Sequence, residues 1–384
     1  MTFEITKSRL IAALKSVSLP AGRNPMADVP NVLISAVPGN GDQDGSVIVS
    51  ANNTDLSIAA KVSARVEAAG RAALPAKRFL DLVSNLEPQS VVIATDEKHN
   101  ANIATGAGRF RLCGSDPVAY PTLAMQTGQT FTTSQAELKG MLARTVFCAS
   151  TDEARYVVNS VRLDFAPSVA TKDATTLTAI GTDLRRLATV EVTVPGNLTG
   201  PGTATGITVP RTAALKIRDA LTDDGEVTVQ YDSTCATVAI ARKNGTVSIS
   251  TVLIGGNYPK YTQWIPGNGY NPTKVTVNRK QLLRALVRVS RMVSKKDKVV
   301  SLRFRQDKLR LTTLGDVGDA KEEVGVVFNG KEFSTDMNLE YITSALKVLP
   351  GDVVDLLVTN GVEPLVMKST VPFLYVALPM RRSP

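Results

Sequence analysis

Pro75-Ala-Lys-Arg-Phe-Leu-Asp-Leu82, Pro210-Arg-Thr-Ala-Ala-Leu-Lys-Ile217 and Asn338-Leu-Glu-Tyr-Ile-Thr-Ser-Ala-Leu346 are three versions of one signal. Each sets a helix-start residue, proline or a capping asparagine, before an amphipathic run. Pro210 follows Pro75 by 135 positions, and Asn338 follows Pro210 by 128. Thr54-Asp-Leu and Thr182-Asp-Leu, also 128 apart, keep the interval. Ala119-Tyr-Pro-Thr-Leu and Asn257-Tyr-Pro-Lys-Tyr close the first two copies alike. Outward from each of the three helices the plan repeats: a strand-like start and an earlier amphipathic helix, strands between, strands after. A period of about 130 residues is far longer than the roughly 20–50 of a solenoid. The chain therefore reads as three whole domains of one topology, over residues 1–126, 127–267 and 268–384. The expected fold class is α+β, each domain carrying two helices and antiparallel sheet.

A length of 384 residues suits two to three domains, and 43% hydrophobic with 21% charged residues describes a globular chain with ample core. No apolar run approaches the ~20 residues of a membrane span. Met1-Thr-Phe-Glu-Ile-Thr-Lys7 carries Glu4 and no apolar core, so it is not a secretory signal. A cytoplasmic location away from membranes is expected. Cys113, Cys148 and Cys235 lack paired metal-ligand spacing and read as reduced, mostly buried small hydrophobes.

The residues also argue against catalysis. The sole histidine, His99, lies in Asp96-Glu-Lys-His-Asn100, which reads as a hairpin turn rather than part of a triad or metal site. Asp55 and Asp183, in the two Thr-Asp-Leu repeats, read as turn residues at equivalent hairpins. Asp316 and Asp319 are followed by no further spaced cation ligands, and Gly106-Ala-Gly-Arg109 by no dinucleotide fingerprint. The expectation is a protein without catalytic residues, metal or cofactor.

A net charge of +9 and a pI near 9.4 favour polyanionic partners, and the placement of the charge says more. From the capping Asn278 to about Val293 the chain predicts a helix. Leu282, Leu286, Val289 and Val293 form one stripe of it, and Lys280, Arg284, Arg288, Arg291 and Lys295 form another. At ~100° per residue, Arg284 lies about 200° from Leu282, so the basic stripe faces away from the core. No acid falls between Arg279 and Lys296, so this helix repels itself unless an anion lies opposite. Fainter versions recur: Lys7, Arg9 and Lys15, then Lys77 and Arg78 in the first copy; Lys139 and Arg144, then Arg211, Lys216 and Arg218 in the second. The last helix has only Lys347, balanced by Glu340. Lys and Arg also suit any solvated helix face, but a basic bias on five of six equivalent helices points to a partner. With 5% aromatic residues and little Asn or Gln nearby, these cations suit duplex phosphates better than base reading or single-strand stacking.

Arg155-Tyr-Val-Val-Asn-Ser160, Thr182-Asp-Leu-Arg-Arg-Leu-Ala188, Ile207-Thr-Val-Pro-Arg211, Tyr258-Pro-Lys-Tyr261 and Tyr375-Val-Ala-Leu-Pro-Met-Arg381 stand in a telling order and spacing. With them the chain resembles, over essentially its whole length, the β subunit family of bacterial DNA polymerase III, the sliding clamps. The resemblance implies a DNA-clamp fold with inner helices and outer sheets, and a head-to-tail homodimeric ring around duplex DNA. It also implies a tether for the replicative polymerase, with the polymerase III α subunit, the clamp loader and other clamp-binding-motif proteins as partners. Carried over by residue, the partner-peptide pocket comprises Val158, Thr182, Leu184, Arg186, Leu187, Pro259, Trp264, Leu378, Pro379 and Met380. Read without the resemblance, Leu378-Pro-Met380 is better taken as a final edge strand packing on its own domain. On the DNA side, Arg23 in Pro20-Ala-Gly-Arg-Asn-Pro25 matches a family position near DNA, and Lys77, Arg78 and Arg211 sit at matched helix starts. Lys280, Arg284 and Arg288 come from helical spacing alone.

The chain departs from the family pattern in several places. Leu184 and Arg185 stand where glycine and histidine are common, and Gln263 and Trp264 where arginine and a small aliphatic residue are often found. Arg-Arg-Ser-Pro extends the chain past Met380, and many relatives are acidic where this chain is +9. Helix packing independently favours a dimer. With helices ~10 Å across, six around a circle leave a hole of about 9 Å, and twelve leave roughly 28 Å. Only the larger admits a hydrated duplex, so closure needs two chains joined heterologously. The alternative is an open monomeric DNA-binding scaffold of the same three domains.

Overall fold

A computed structural model describes the chain except residues 18–30, 40–44, 54, 88, 107, 121–127, 197, 199–204, 268–269, 294–297, 316–317, 370 and 381–384. Among the described residues there are six α-helices: α1 (Lys7–Val17), α2 (Ala76–Asn85), α3 (Gln135–Thr145), α4 (Arg211–Ala220), α5 (Arg279–Val289) and α6 (Leu339–Val348). Each repeat runs strand, helix, four or five strands, helix, three strands. This is the threefold plan of the sequence.

Three of the helices, α3, α5 and α6, begin where side chains satisfy orphan N–H groups, whereas Pro75 before α2 supplies no cap bond. Asn278 Oδ1 accepts from the Gln281 N–H at 3.0 Å, and Asn338 Oδ1 from the Glu340 N–H at 2.9 Å. At α3 the arrangement is reciprocal: the Glu137 N–H donates to Ser134 Oγ at 3.2 Å, and the Ser134 N–H to Glu137 Oε2 at 3.3 Å. The Ser134 and Thr133 hydroxyls add to this and hold the Glu137 carboxyl below its usual range. α5 buries Leu282, Ala285, Leu286 and Val289, the apolar stripe expected of it. It ends at Val289, however, and Ser290–Met292 form one 3-10 turn, shorter than the helix to 293 that the spacing predicts. Ser290 Oγ donates to the Val287 carbonyl at 2.7 Å, bonding a backbone acceptor in that last turn.

The strands form sheets of five, eight and twelve members among the described residues. Packing gathers them into two compact units: Met1–Leu138 with Asp219–Leu253, and Lys139–Arg218 with Ile254–Pro384. The central repeat is thus shared between two units, because strands pair across repeat boundaries. In the first unit, Gly245–Val252 of the second repeat lies antiparallel to Leu56–Ser63 of the first, with Ile249 opposite Ile58 and Val247 opposite Ala60. In the second unit, Phe373–Ala377 of the third repeat lies against Arg186–Pro195 of the second, with Val376 opposite Leu187. Buried side chains seal both joins. The repeat cores are of the ordinary apolar kind: Phe3, Leu10, Leu14 and Phe79 in the first, and Phe304 and Phe328 in the third, are at most 2% exposed.

The expected turns are present. Asp96 Oδ1 accepts from the Lys98 and Asn100 N–H groups, each at 2.9 Å, around a left-handed His99 with φ of 61°. Asp55 and Asp183 lie at the corresponding hairpins of the first two repeats, Thr54 being outside the described residues. The cysteines depart from expectation: only Cys148 is buried, while Cys235 is half-buried and Cys113 exposed. Cys113 follows the edge strand Arg109–Leu112, which has no neighbour beyond it to bury the residue.

The first join leaves no room at one backbone position. A Cβ on Gly245 would lie 1.9 Å from the Lys61 carbonyl oxygen. Gly245→Ala should therefore force the paired strands apart and cost about 2 kcal/mol or more. Thermal unfolding followed by circular dichroism should show a transition several degrees below that of the parent chain.

Candidate partner pocket and nucleic-acid interface

The hairpin from Thr182 to Leu187 forms one wall of a cleft in the second unit. Thr182 is fully buried, and its Oγ1 donates to the Arg186 carbonyl at 2.7 Å while accepting from the Leu184 N–H at 3.0 Å. Asp183 Oδ1 accepts from the Arg185 and Arg186 N–H groups, both at 3.0 Å. These bonds hold Leu184 at φ 72°, a left-handed conformation in which a branched apolar residue is strained, and leave its side chain 43% exposed. The glycine usual here in the resembled family would carry no such strain. The next strand continues the wall, the Leu378 N–H donating to the Arg185 carbonyl at 3.0 Å.

Beneath the hairpin, Arg186 is a fixed cation. Its Nε donates to Asp183 Oδ2 at 2.9 Å, one terminal nitrogen to Ser344 Oγ at 2.9 Å, and the other to the Phe147 carbonyl at 2.9 Å. Its guanidinium also lies 4.6 Å from the Tyr341 ring centroid and 5.6 Å from that of Phe147. Burial pulls its pKa down, but Cys148, Tyr375 and Asp183 around it outweigh burial and leave it raised. The same burial pushes the Cys148 thiol and the Tyr375 hydroxyl well above their usual values.

The cleft is lined by Thr182, Leu184, Arg185, Arg186, Leu187, Trp264, Val376 and Leu378. Six of the ten residues expected at a partner pocket are brought together here: Thr182, Leu184, Arg186, Leu187, Trp264 and Leu378. The other four do not line it. Pro259 borders a neighbouring hollow with Arg162, Asp164 and Tyr261, where Asp164 accepts from Arg162 Nε at 2.6 Å and from the Tyr261 hydroxyl at 2.9 Å. Val158 is buried at 5% exposure. Pro379 and Met380 run on past the cleft, the Met380 N–H donating to the Asp336 carbonyl at 2.7 Å. Arg185 and Val376 were missed, though alternation along Phe373–Ala377 places Val376 beside the expected Leu378. The free volume is only about 40 Å³, with half-buried Trp264 forming part of the lining. That is far below the roughly 300–1,000 Å³ of a small-molecule site.

The basic residues are placed unevenly. Lys77 and Arg78 are exposed in the first turn of α2. Arg211, at the start of α4, is half-buried, and its Nε is buried without a hydrogen-bond partner. Arg23 lies outside the described residues. The α5 stripe is less bare than its own sequence suggests, because acids arrive from other elements. Lys280 Nζ lies 2.7 Å from Asp352, and Arg288 Nε donates to both carboxylate oxygens of Glu322 at 3.1 and 3.2 Å. Hydrogen bonding lowers the Asp352 pKa and raises that of Arg288. Arg284 is exposed and makes no ion pair among the described residues. Also among the described residues, no group of three potential metal ligands converges, and no helix is long and apolar enough to cross a membrane.

Comparison with known proteins accounts for the whole chain. Three models of the DNA polymerase III beta subunit match in order: its N-terminal domain at residues 1–124, its central domain at 132–260 and its C-terminal domain at 263–381. A beta sliding clamp from Chlamydia muridarum is 25% identical over 384 residues, covering 99% of both chains. One from Synechocystis is 27% identical over 400 residues, covering 98% of both. Among solved structures, a DnaN sliding clamp from Bartonella birtlesii bound to griselimycin is 26% identical, with a TM-score of 0.87 and complete coverage of both chains.

The Arg186 network predicts its own sensitivity. Arg186→Ala leaves Asp183, the Phe147 carbonyl and Ser344 without their donor and should cost roughly 3 kcal/mol. Arg186→Lys should recover less than half, because an ammonium's donors radiate from one nitrogen, short of acceptors that three guanidinium nitrogens reach, and offer no plane to lie over Tyr341. Chemical denaturation of the three proteins side by side measures both.

Proposed function

The chain belongs to the DNA polymerase III beta subunit family, the beta sliding clamps, and we propose that two copies close head to tail into a ring around duplex DNA. The chain is an accessory processivity factor, not a catalyst. The observation that carries the ring is a pair of unused strand edges. Within one chain the same join is made twice: Leu56–Ser63 receives Gly245–Val252, and Arg186–Pro195 receives Phe373–Ala377. The corresponding receiving strand of the third repeat is Gly318–Phe328, and the corresponding inserted strand of the first is Arg109–Leu112. Among the described residues, Arg109–Leu112 ends its sheet, paired only with Ala101–Ala104. Gly318–Gly325 pairs with Lys308–Gly315 on one side, and only Val326–Phe328 reach a further strand.

One free edge of each kind per chain gives a heterologous join, which closes into a ring or runs on as a fibre. The two edges are also complementary in charge, Arg109 and Arg111 facing a strand that carries Asp319, Glu322 and Glu323. Phe110, 40% exposed on the first edge, supplies an apolar anchor. Twelve helices from two chains allow the hole of roughly 28 Å that a hydrated duplex needs.

Inside that ring, Lys77, Arg78, Arg211, Lys280, Arg284 and Arg288, with Arg23, serve as phosphate contacts without sequence preference. The Thr182–Leu378 cleft serves as the docking point for short motifs of the polymerase III α subunit, the clamp loader and other clamp-binding proteins. Leu184, Trp264 and Leu378 supply its apolar walls. The cytoplasm, where a bacterial chromosome is copied, is the site of action.

Topology provides the decisive test. Loaded on nicked circular DNA, the protein should stay bound at high salt and be lost once the circle is linearised. Equal loss from both forms would overturn the ring. Phe110→Asp should leave the circle as readily as the line, with a mass near 40.9 kDa rather than its double by light scattering. At the cleft, Leu378→Ala should weaken a clamp-binding-motif peptide of the α subunit about tenfold in fluorescence anisotropy while the dimer mass is unchanged. Unaltered peptide affinity would place the docking site elsewhere.

A further inference from the structure

A second cavity, of about 330 Å³, lies in the first unit where α1 meets the join between Gly245–Val252 and Leu56–Ser63. Four cationic side chains from three separate segments line it: Arg9 on α1, Lys61 on the receiving strand, and Arg242 and Lys243 at the hairpin before Gly245. No acidic residue is among its lining residues. Ala12 and Ala13 of α1, with Val62 and Val247, add an apolar floor.

None of these cations lies in an ion pair among the described residues. Lys61 and Lys243 are exposed and make no ion pair among the described residues. Arg9 has only a long contact, 3.5 Å to the Ser63 carbonyl. Arg242 is the fixed member of the set. It donates to Gln135 Oε1 at 3.1 Å, to Thr222 Oγ1 at 3.3 Å and to the Ala220 carbonyl. These partners are neutral acceptors, so they orient the guanidinium without cancelling its charge. Burial lowers its pKa accordingly. The pattern is the reverse of that in the third repeat, where Lys280, Arg288, Lys298, Arg303 and Arg310 each lie against a carboxylate.

Collecting like charges around one hollow is repulsive, and the repulsion is relieved when an anion of matching charge enters. We propose that this cavity binds a compact phosphate polyanion, one carrying two or more phosphoryl groups, through Arg9, Lys61, Arg242 and Lys243. Its volume falls at the lower end of the small-molecule range. Arg242 supplies a fixed positive charge at the lining, while Arg9 and the two lysines supply the remaining cations from separate segments. The site is independent of the partner cleft and of the ring reading, being complete within one chain. The shared chemistry is phosphate, and its two sources are a free polyphosphate and the backbone of DNA.

Calorimetric titration of the full-length protein with inorganic tripolyphosphate, paired with anisotropy titration of a short linear duplex, separates them. Tripolyphosphate should bind one per chain, and the doubly substituted Lys61→Gln/Lys243→Gln protein should bind it at least about tenfold more weakly, with duplex affinity changed less than twofold. Arg9→Gln, from a separate segment, should weaken tripolyphosphate in the same direction. Both variants alter side chains at the cavity's rim, and an unchanged thermal transition confirms folding. No binding of tripolyphosphate, or binding that both variants leave intact, would overturn the proposal. Loss of duplex affinity in the double variant without tripolyphosphate binding would also overturn it, assigning the cations to the DNA backbone.

Discussion

The rest of the structure depends on the pairing of strand edges across repeat boundaries. An unpaired edge exposes a row of backbone donors and acceptors that must be covered or will recruit another chain. Here the same strand position is used in successive repeats to receive the last strand of the next, at Leu56–Ser63 and at Arg186–Pro195. The joins are backbone ladders sealed by side chains such as Ile58, Ile249, Leu187 and Val376. Three repeats of sequence therefore become two units of packing. The rule that makes the joins also leaves, among the described residues, one receiving and one inserting edge without a partner. In the proposed ring, association rests on this topology rather than on a large apolar patch.

The partner cleft grows out of the second join. The ladder that sets Arg186 opposite Ala377 also brings Leu378 beside the turn at Leu184, so cleft and join share their residues. Leu184 at φ 72° costs on the order of 1–2 kcal/mol relative to glycine. The bonds from Thr182 and Asp183 and the anchoring of Arg186 are what hold it there. Strain of this kind survives where the surroundings over-determine it. Its product is an apolar side chain held toward solvent at the mouth of the cleft.

Much of this was legible in the sequence for identifiable reasons. The helix start at Asn338 obeys local capping chemistry, Pro75 and Pro210 stand just before their helices, and the stripe of Leu282, Leu286 and Val289 obeys helical geometry. These survive translation into structure because they are short-range. The reciprocal bonds of Ser134 and Glu137 were just as readable, from a serine three residues before a glutamate. What the sequence withheld is long-range. Asp352 reaches Lys280 and Glu322 reaches Arg288 from separate strands or turns, so the charge pattern of one helix overstated its self-repulsion. The division of the central repeat between two units, and the orphaned Nε of Arg211, likewise have no local signature.

The two basic regions differ in a way that bears on their roles. Ion pairs between exposed side chains, such as Lys280–Asp352 and Arg288–Glu322, are screened by solvent and contribute little. In the proposed ring, a duplex with one charge per ~1.7 Å of axis can displace those carboxylates at little cost and be displaced in turn. Loosely held, interchangeable contacts suit a protein that must hold DNA without fixing its register. The cations around α1 and the Gly245 hairpin are arranged otherwise. They converge from three segments on one concave space, around a guanidinium that neutral acceptors hold in place. Convergence of this kind fixes the position of whatever binds. The surface proposed for sliding gains nothing from that, and the proposed pocket for a compact anion requires it.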